Sequence, residues 1–452
     1  MVVQKFGGTS VADPSAIRRL IDIVRAARSR DGRGPAVVVS AMSGVTDTLL
    51  GLATAAGESR ADEALSKAEQ IRTRHLVAAR ELTAGPEQEL LAGQIEAQCD
   101  QLRDVVRTLA VLREVSPRML DVVAAIGEIL SSRIVAASLE GGGVPAEWVD
   151  ARQVIVTSDD HTRAIPLRRE TDDRLRARLG PVLEAGRVPV LGGFVGATAD
   201  GHTSTLGRGG SDYSGALVGA GIEASEIQIW TDVDGMLSAD PRIVGSPRLV
   251  SQLSFAEAAE LAYFGAKVLH PSTILPAVER NIPVRILNSW KPAGAGTLIT
   301  GTGLPRRARL TGLASKRDVT VIDITSTRML MAYGFLRRVF EVFERFTTAV
   351  DMVTTSEVSV SVTVDDDRHI DAIVEALGEF SEVAVERHMS LLCAVGDVLQ
   401  DEPAMAAKVV GVLEEVPIRM ISQAASRRNI TVVLRQADLP HAMERLHEEF
   451  FS

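Results

Sequence analysis

Cysteine is nearly absent from this chain: Cys99 and Cys393 are the only two in 452 residues. They lie far apart, with no Cys-x-x-Cys pair and no Cys/His cluster. Neither a disulfide framework nor a zinc site is indicated, and both read as buried apolar side chains. No block of Lys or Arg offsets the formal net charge of −10, which excludes the concentrated positive field that nucleic acid or an anionic membrane surface needs. No apolar run reaches the roughly 18 residues of a membrane span, and the opening MVVQKFGGTS lacks the basic and apolar regions of a signal peptide. A cytoplasmic protein with a small-molecule partner is expected. Aromatics are only 4% of residues, while Ala, Val, Leu and Gly abound, as in proteins that pack helices on a buried sheet. A chain of this length suits two or three domains.

The first of these begins with a βα unit. Val2 and Val3 open a strand ending at Lys5, and Asp13 with Pro14 caps and starts a helix carrying Ile17, Leu20, Ile21 and Val24. The same grammar recurs at Ala36 to Ser40. Residues 60–115 are charged and Ala-rich, with Ile95, Cys99, Leu102, Val106 and Leu109 at helical spacing and a break at Gly85-Pro86, which predicts an inserted helical hairpin. Ser116-Pro117 caps a further helix in which Glu128 stands among small and apolar neighbours. Strands over 188–195, 227–230 and 284–287 complete a largely parallel sheet with helices on both faces, whose ligands belong beyond the strand carboxyl ends. Lys5, Ser40, Gly192-Gly193 and Thr231-Asp232 all fall there. After about residue 300 two similar blocks follow at an offset of roughly 70 residues, each reading β-α-β-β-α-β.

Two segments carry the chemistry. In Leu206-Gly207-Arg208-Gly209-Gly210-Ser211-Asp212 the glycines admit a ligand to the backbone, and a helix opening there aims N–H groups at an anion. Arg208 offers a fork for carboxylate or phosphate; Asp212 can orient a cation. By itself the run could be a glycine turn with a surface ion pair. The second loop, Lys5-Phe6-Gly7-Gly8-Thr9-Ser10, puts a Lys beside backbone donors, which suits phosphoryl transfer. It lacks the Gly-x-x-x-x-Gly-Lys of a P-loop, so the scaffold is a different one.

These loops, together with Ser40-Ala41-Met42-Ser43-Gly44-Val45-Thr46, Thr231-Asp232-Val233-Asp234-Gly235, Asp240-Pro241-Arg242 and Phe264-Gly265-Ala266-Lys267-Val268-Leu269-His270-Pro271, resemble the aspartokinases. The resemblance spans the chain and looks most like the lysine-sensitive branch with two C-terminal ACT modules. It implies a mainly parallel amino-acid-kinase domain over 1–300, followed by two ferredoxin-like modules over 312–383 and 384–452, with strand exchange between the modules allowed. It implies transfer of the ATP γ-phosphoryl group to the β-carboxylate of L-aspartate. Lys5 and Asp212 would be catalytic, Arg208 would grip the substrate α-carboxylate, Glu128 its ammonium, and Ser40 and Thr46 would hydrogen-bond it. Gly7, Gly8, Thr9, Ser10, Gly209, Gly210, Ser211, Thr231, Asp232, Leu237, Arg242 and Lys267 would surround the nucleotide, with Mg²⁺ bridging its phosphates. Leu237 stands where the family usually has Tyr, and His270 reads as structural.

The same resemblance points to an amino-acid effector in the first module. Met329, Met331, Gly334, Phe335, Leu336, Val350, Asp351, Ser356 and Glu357 would line its site. Acids at Asp351 and Glu357 suit the two ammonium groups of lysine, whereas Arg419, aligned with Asp351 in the second copy, would repel them. Ala332 and Ala349 replace hydroxyl residues common in lysine-sensitive relatives, which predicts weaker binding. Paired modules of this kind imply at least a homodimer. Rival readings are a kinase for glutamate, acetylglutamate, carbamate or a nucleotide, and a non-catalytic amino-acid sensor.

Overall fold

In β1, Val2–Phe6, the last four residues are buried, and a single turn, Gly8–Val11, leads into α1, Pro14–Asp31. The start of α1 follows from its sequence. The Asp13 carboxylate accepts the Ala16 N–H at 2.8 Å, satisfying an amide that has no partner inside the helix, and Pro14 has no amide to leave unpaired. Gly32 ends the helix in the left-handed conformation, φ 66°. The computed structural model describes every residue except 33, 266–268, 303–309, 327–332, 398, 400–403, 424–426 and 452.

The buried strand β2, Ala36–Val39, leads to α2, Val45–Gly57, and the expected hairpin follows as α3, Ala61–Leu82, and α4, Gly85–Leu112. Leu91, Ile95, Cys99, Leu102, Val106 and Leu109 are the buried stripe of α4, a spacing of three and four that keeps one face on the core. α5, Pro117–Gly141, is long and apolar enough to cross a membrane, yet 83% of its apolar window is packed inside the protein. Next come β3, Ala146–Val149, β4, Val156–Thr157, and α6, Arg168–Glu184. β5, Val188–Gly192, β6, Val195–Thr198, and β7, Thr203–Thr205, precede α7, Gly210–Gly221, and β8, Glu226–Thr231.

By packing, the chain forms two units, Met1–Met236 with Leu269–Thr302, and Leu237–Val268 with Gly303–Ser452. The second therefore claims β9, Gln252–Ser254, and α8, Phe255–Tyr263, before the chain returns to the first for α9, Leu275–Glu279, β10, Val284–Asn288, and β11, Thr297–Thr300. β4, β6 and β7 form a small sheet of their own; the main sheet of the first unit runs in the order β3-β5-β2-β1-β8-β10-β11. All neighbours are parallel except β10 and β11. Phe6 is in register with Val39 and with Trp230, and Val39 with Gly192. Four strands thus end together at one edge, the place where open α/β sheets bind ligands.

In the second unit, β12, Leu310–Thr325, is followed by α10, Phe335–Arg345, β13, Met352–Thr355, β14, Ser359–Val364, and α11, Ile370–Gly378. Then come β15, Glu382–Gly396, α12, Met405–Val412, β16, Ile418–Ser422, β17, Asn429–Arg435, and α13, Leu439–Phe451. The sheet order is β13-β14-β12-β15-β17-β16. Its two central strands are long because each serves two modules. Thr320–Thr325 of β12 pairs with β14 and with Glu382–Glu386 of β15, giving the first four-stranded module. Leu310–Lys316 pairs with Leu391–Gly396, which pairs with β17, giving the second. The register breaks around Val319 between them. This corrects one expectation: the second block does not supply its own fourth strand. The start of β12 fills that place, and the chain's last element is a helix.

Candidate active site

The aligned strand ends are joined to glycine turns by backbone hydrogen bonds: Gly7 N–H donates to Trp230 O at 3.0 Å, Ser40 N–H to Phe6 O at 3.0 Å and Gly193 N–H to Val39 O at 2.8 Å. Above them opens a cleft of about 530 Å³. Lys5, Gly7, Gly8, Thr9, Ser40, Thr46, Glu128, Arg208, Gly209, Gly210, Ser211, Asp212, Thr231 and Asp232 all line it. A larger cavity of about 710 Å³ lies at the amino-terminal ends of β1, β8 and β10, but none of Lys5, Arg208 and Asp212 borders it. The opposed charges belong to the smaller cleft.

Two helices begin at that cleft. Gly44 precedes α2 with φ 77° and Gly209 precedes α7 with φ 72°, a conformation costly for any residue with a Cβ. Neither N-terminus is capped by a side chain; Val45 N–H donates to Met42 O and Gly210 N–H to Gly207 O, both at 3.0 Å, so the amides one residue further in, of Thr46 and Ser211, and the positive ends of the dipoles are left for an anion. Nearby glycines keep backbones close. A Cβ on Gly8 would stand 3.2 Å from Ala41 O, and one on Gly193 only 2.9 Å from Ser211 Cα. These are cradles that a side chain would fill.

The charges inside are arranged with care for their desolvation. Lys5 Nζ lies 2.7 Å from Asp212 Oδ1, with the side chains 9% and 17% exposed. That is a sheltered pair, not a surface one, so losing either partner strands a charge away from water. Glu128 is buried on α5, and one carboxylate oxygen, Oε2, has no hydrogen-bond partner among the described residues. Burial pushes its pKa up to about 8, against the opposing pull of an Ala41 backbone N–H and of Lys5. Gly192 is what lets α5 pass, since a Cβ there would meet Glu128 Cβ at 3.1 Å.

The expected residues do not all meet here. Ser10 is buried and its hydroxyl donates to Trp230 O and Ser289 Oγ, at 3.2 and 2.8 Å. It braces the loop from behind and does not line the cleft, a correction to its expected place around the nucleotide. Leu237 and Arg242 fall in the second unit; Leu237 bridges Leu249, and the exposed Arg242 holds Asp240 in a forked pair at 2.6 and 3.0 Å. Lys267 lies outside the described residues. Phe194, which the sequence did not single out, lines the cleft with φ 65°, and its N–H is fixed by Ser214 Oγ at 2.9 Å. Only the neighbouring Gly-Gly hints at so unusual a backbone.

Of the expected effector residues, Met329 and Met331 also lie outside the described residues, as does Ala332. Gly334 opens α10 at φ 85°, Phe335 and Val350 share one core, and Leu336 is exposed. Ser356 closes the β13–β14 turn, accepting the Ser359 N–H at 3.1 Å, and Glu357 is exposed. Asp351 is the unusual one. Its side chain is 4% exposed, its Oδ1 is shared by Lys316 Nζ at 2.7 Å and Tyr263 Oη at 2.8 Å, and its Oδ2 has no partner among the described residues.

A sheltered Lys–Asp ion pair, helix-end amides and an exposed Arg around one cleft are the means of handling a phosphoryl group and a carboxylate together. Residues 1–288 match the model of the amino acid kinase family, and the chain belongs to that family. A model of the ACT domain matches residues 392–450. The chain is 38% identical to Aspartokinase 3, chloroplastic, of Arabidopsis thaliana over 99% of its own length and 81% of that relative. It is 36% identical to Lysine-sensitive aspartokinase 3 of Escherichia coli, covering 100% of this chain and 99% of the other. Two crystal structures of the E. coli aspartokinase III superpose over the full length of both chains. The complex with lysine and aspartate (T-state) gives a TM-score of 0.84 at 35% identity. The complex with aspartate and ADP (R-state) gives 0.83 at 34%. Within its family this chain is thus an aspartokinase, a phosphotransferase whose acceptor is a carboxyl group.

Proposed function

We propose that the chain transfers the γ-phosphoryl group of ATP to the β-carboxylate of L-aspartate, forming 4-phospho-L-aspartate in the cytoplasm, at the head of the route to lysine, threonine and methionine. The observation that carries this reading is the sheltered Lys5–Asp212 pair between two uncapped helix N-termini. Lys5 balances the equatorial oxygens of the moving phosphoryl group, and Asp212 keeps its ammonium in place. The glycine loops at Gly7, Gly8, Gly209 and Gly210 let the backbone approach the phosphates, with Thr9, Ser211, Thr231 and Asp232 around them; Leu237, Arg242 and Lys267 are assigned to the nucleotide on family resemblance alone. Arg208 takes the substrate α-carboxylate, Glu128 the ammonium, and Ser40 and Thr46 complete its hydrogen bonds. The acceptor is an ionised carboxylate, so no general base is required.

Among the described residues no three His, Cys, Asp or Glu side chains come together as a metal cage. Mg²⁺ would be held chiefly by nucleotide phosphate oxygens, with the cleft carboxylate Asp212 available to its bound water, and would supply charge neutralisation. We further propose that lysine inhibits through the first module, with Asp351 taking one ammonium, and that the chain works as a homodimer or higher oligomer through its ACT-like modules. The support is the buried Asp351 with its spare oxygen, set against Arg419 in the second module.

The test is aspartate-dependent ADP release, with the acyl phosphate trapped by hydroxylamine across aspartate, glutamate, acetylglutamate and carbamate. A hydroxamate formed with aspartate alone is expected; none with aspartate would overturn the reading. Adding lysine, threonine or methionine to the same assay identifies the effector.

A further inference from the structure

Seven residues before Glu128, on the same face of α5, lies a second buried carboxylate that the reaction does not use. Asp121 is 0% exposed. It accepts the Thr162 N–H with both oxygens, at 3.0 and 3.1 Å, His161 Nδ1 stands 2.7 Å from Oδ2, and the Thr205 hydroxyl donates to Oδ1. So full a set of partners on a buried acid is a fixed fitting, since each bond to a charged group is stronger than a neutral one and loss of a partner leaves a charge in a dry place.

What it fixes is the approach to Arg208. Thr205 ends β7, and its carbonyl accepts the Ala164 N–H at 2.9 Å; the next residue, Leu206, donates to Phe194 O at 2.9 Å. Thr162 is held at φ 72°, a strained conformation for a β-branched residue that needs outside restraint. Its carbonyl oxygen stands 3.2 Å from where a Cβ on Gly207 would be. The loop held by Asp121 therefore presses against the residue immediately before Arg208.

We propose that Asp121 is a positioning residue for substrate binding: through Thr162 and Thr205 it sets the backbone that presents Arg208 to the substrate carboxylate. The rigid helix α5 carries both Asp121 and Glu128, about 10 Å apart along its axis. One element thereby sets the spacing between the groups that receive the two ends of an amino acid. This rests on the assignment of Arg208 and Glu128 to the substrate.

The test is Asp121→Asn in the full chain, with Thr205→Val as a second variant that removes one of the same bonds without leaving a charge unpaired. The expected result is a rise of about tenfold in the KM for aspartate, with the KM for ATP unchanged and kcat within about threefold. In an Arg208→Ala background the Asp121→Asn change should add nothing further, since its effect runs through Arg208. Equal effects on both KM values, or full additivity with Arg208→Ala, would overturn the proposal. Arg208→Ala alone separates the two levels: an unchanged aspartate KM there refutes the substrate assignment, whereas a raised one with no effect of Asp121→Asn and Thr205→Val refutes only the positioning role.

Discussion

Lys316 Nζ lies 2.7 Å from Asp351 Oδ1, and Glu386 Oε2 lies 2.9 Å from Arg419 Nε. The two pairs are counterparts. Lys316 ends the strand that completes the second module, and Asp351 immediately precedes the second strand of the first. Glu386 ends the strand that completes the first module, and Arg419 lies in the second strand of the second. The same junction is thus built twice with its charges exchanged. In the first copy the acid expected to meet an effector ammonium already holds an internal one. Burial opposes the charge on Lys316, but its bonds to Asp351 and Asp365 hold its pKa above the usual lysine range.

An incoming lysine ammonium must therefore share Asp351 with Lys316 or displace it. Lys316→Met should lower the lysine concentration for half-inhibition by roughly three- to tenfold, as removal of one sheltered like charge and competitor allows. Asp351→Asn should abolish inhibition while leaving uninhibited turnover intact. Aspartate-dependent ADP release titrated with lysine reads both. An unchanged titration in Lys316→Met would make the pair structural only.

Lys5 is predicted to act on turnover. Its ammonium is already desolvated and aimed by Asp212, so its contribution is preorganised and grows as charge develops on the transferring group. Lys5→Met should reduce kcat by about a hundred- to a thousandfold with a small change in aspartate KM. Turnover that survives the substitution would remove Lys5 from the chemistry.

Much of this site was legible because it is local. Glycine loops at strand ends and a carboxylate among apolar residues are signals a sequence displays, and Gly209, Lys5 and Glu128 stand where those signals put them. What depends on register was not legible. Nothing in the stretch 310–325 says that its two halves belong to different modules. Ser10 reads like a loop hydroxyl until the structure shows it turned to Ser289. Asp121 looks like an ordinary acid near a helix start until Thr162 and Thr205 arrive from distant segments.

The close approach at Gly193 can be tested by steric insertion. A Cβ there would stand 2.8 Å from Ser211 Cβ and 2.9 Å from its Cα, and the backbone Cα cannot swing aside as a side-chain tip can. Gly193→Ala should push back the first turn of α7 and lower kcat/KM by about tenfold to a hundredfold, since displacements near 1 Å are felt strongly in positioned reactions. A circular-dichroism melt close to the parent's would locate the damage in the site. Parent-like kcat/KM would show that the helix end is free to move.

Glu128 predicts a pH dependence of substrate binding. With its pKa near 8, about a tenth of it is ionised at pH 7 and about a hundredth at pH 6. Pairing with an ammonium requires the ionised form, so kcat/KM for aspartate should rise close to tenfold from pH 6 to pH 7 and level off above 8. Glu128→Gln should have low kcat/KM and lose that slope. Calorimetry in buffers of different ionisation enthalpy should detect proton release as aspartate binds at pH 7; no release would refute the assignment.

The two most perturbed buried groups of the first unit bound its stability from opposite sides. His75, fully buried on α3, donates its Nδ1–H to Ile71 O at 2.7 Å, its Nε2 has no partner among the described residues, and burial lowers its pKa to about 4. Between pH 6.5 and 4 the unfolded chain binds a proton that the folded one refuses, so the stability present above 6.5 is lost as pH falls, by up to about 3 kcal/mol. Glu128 has the reverse sign: its folded pKa is raised, so the folded chain holds a proton that the unfolded one has released above about 4.5, and stability declines as pH rises toward 8. The two slopes cancel between about pH 4.5 and 6.5, so the urea midpoint should be level there, fall below about 4.5 and decline from about 6.5 to 8. His75→Leu should extend the alkaline decline down to about pH 4.5, whereas Glu128→Gln should remove it and leave a midpoint that climbs from about pH 4 to 6.5. If neither variant changed the profile in its stated direction, these two groups would not be the ones that set it.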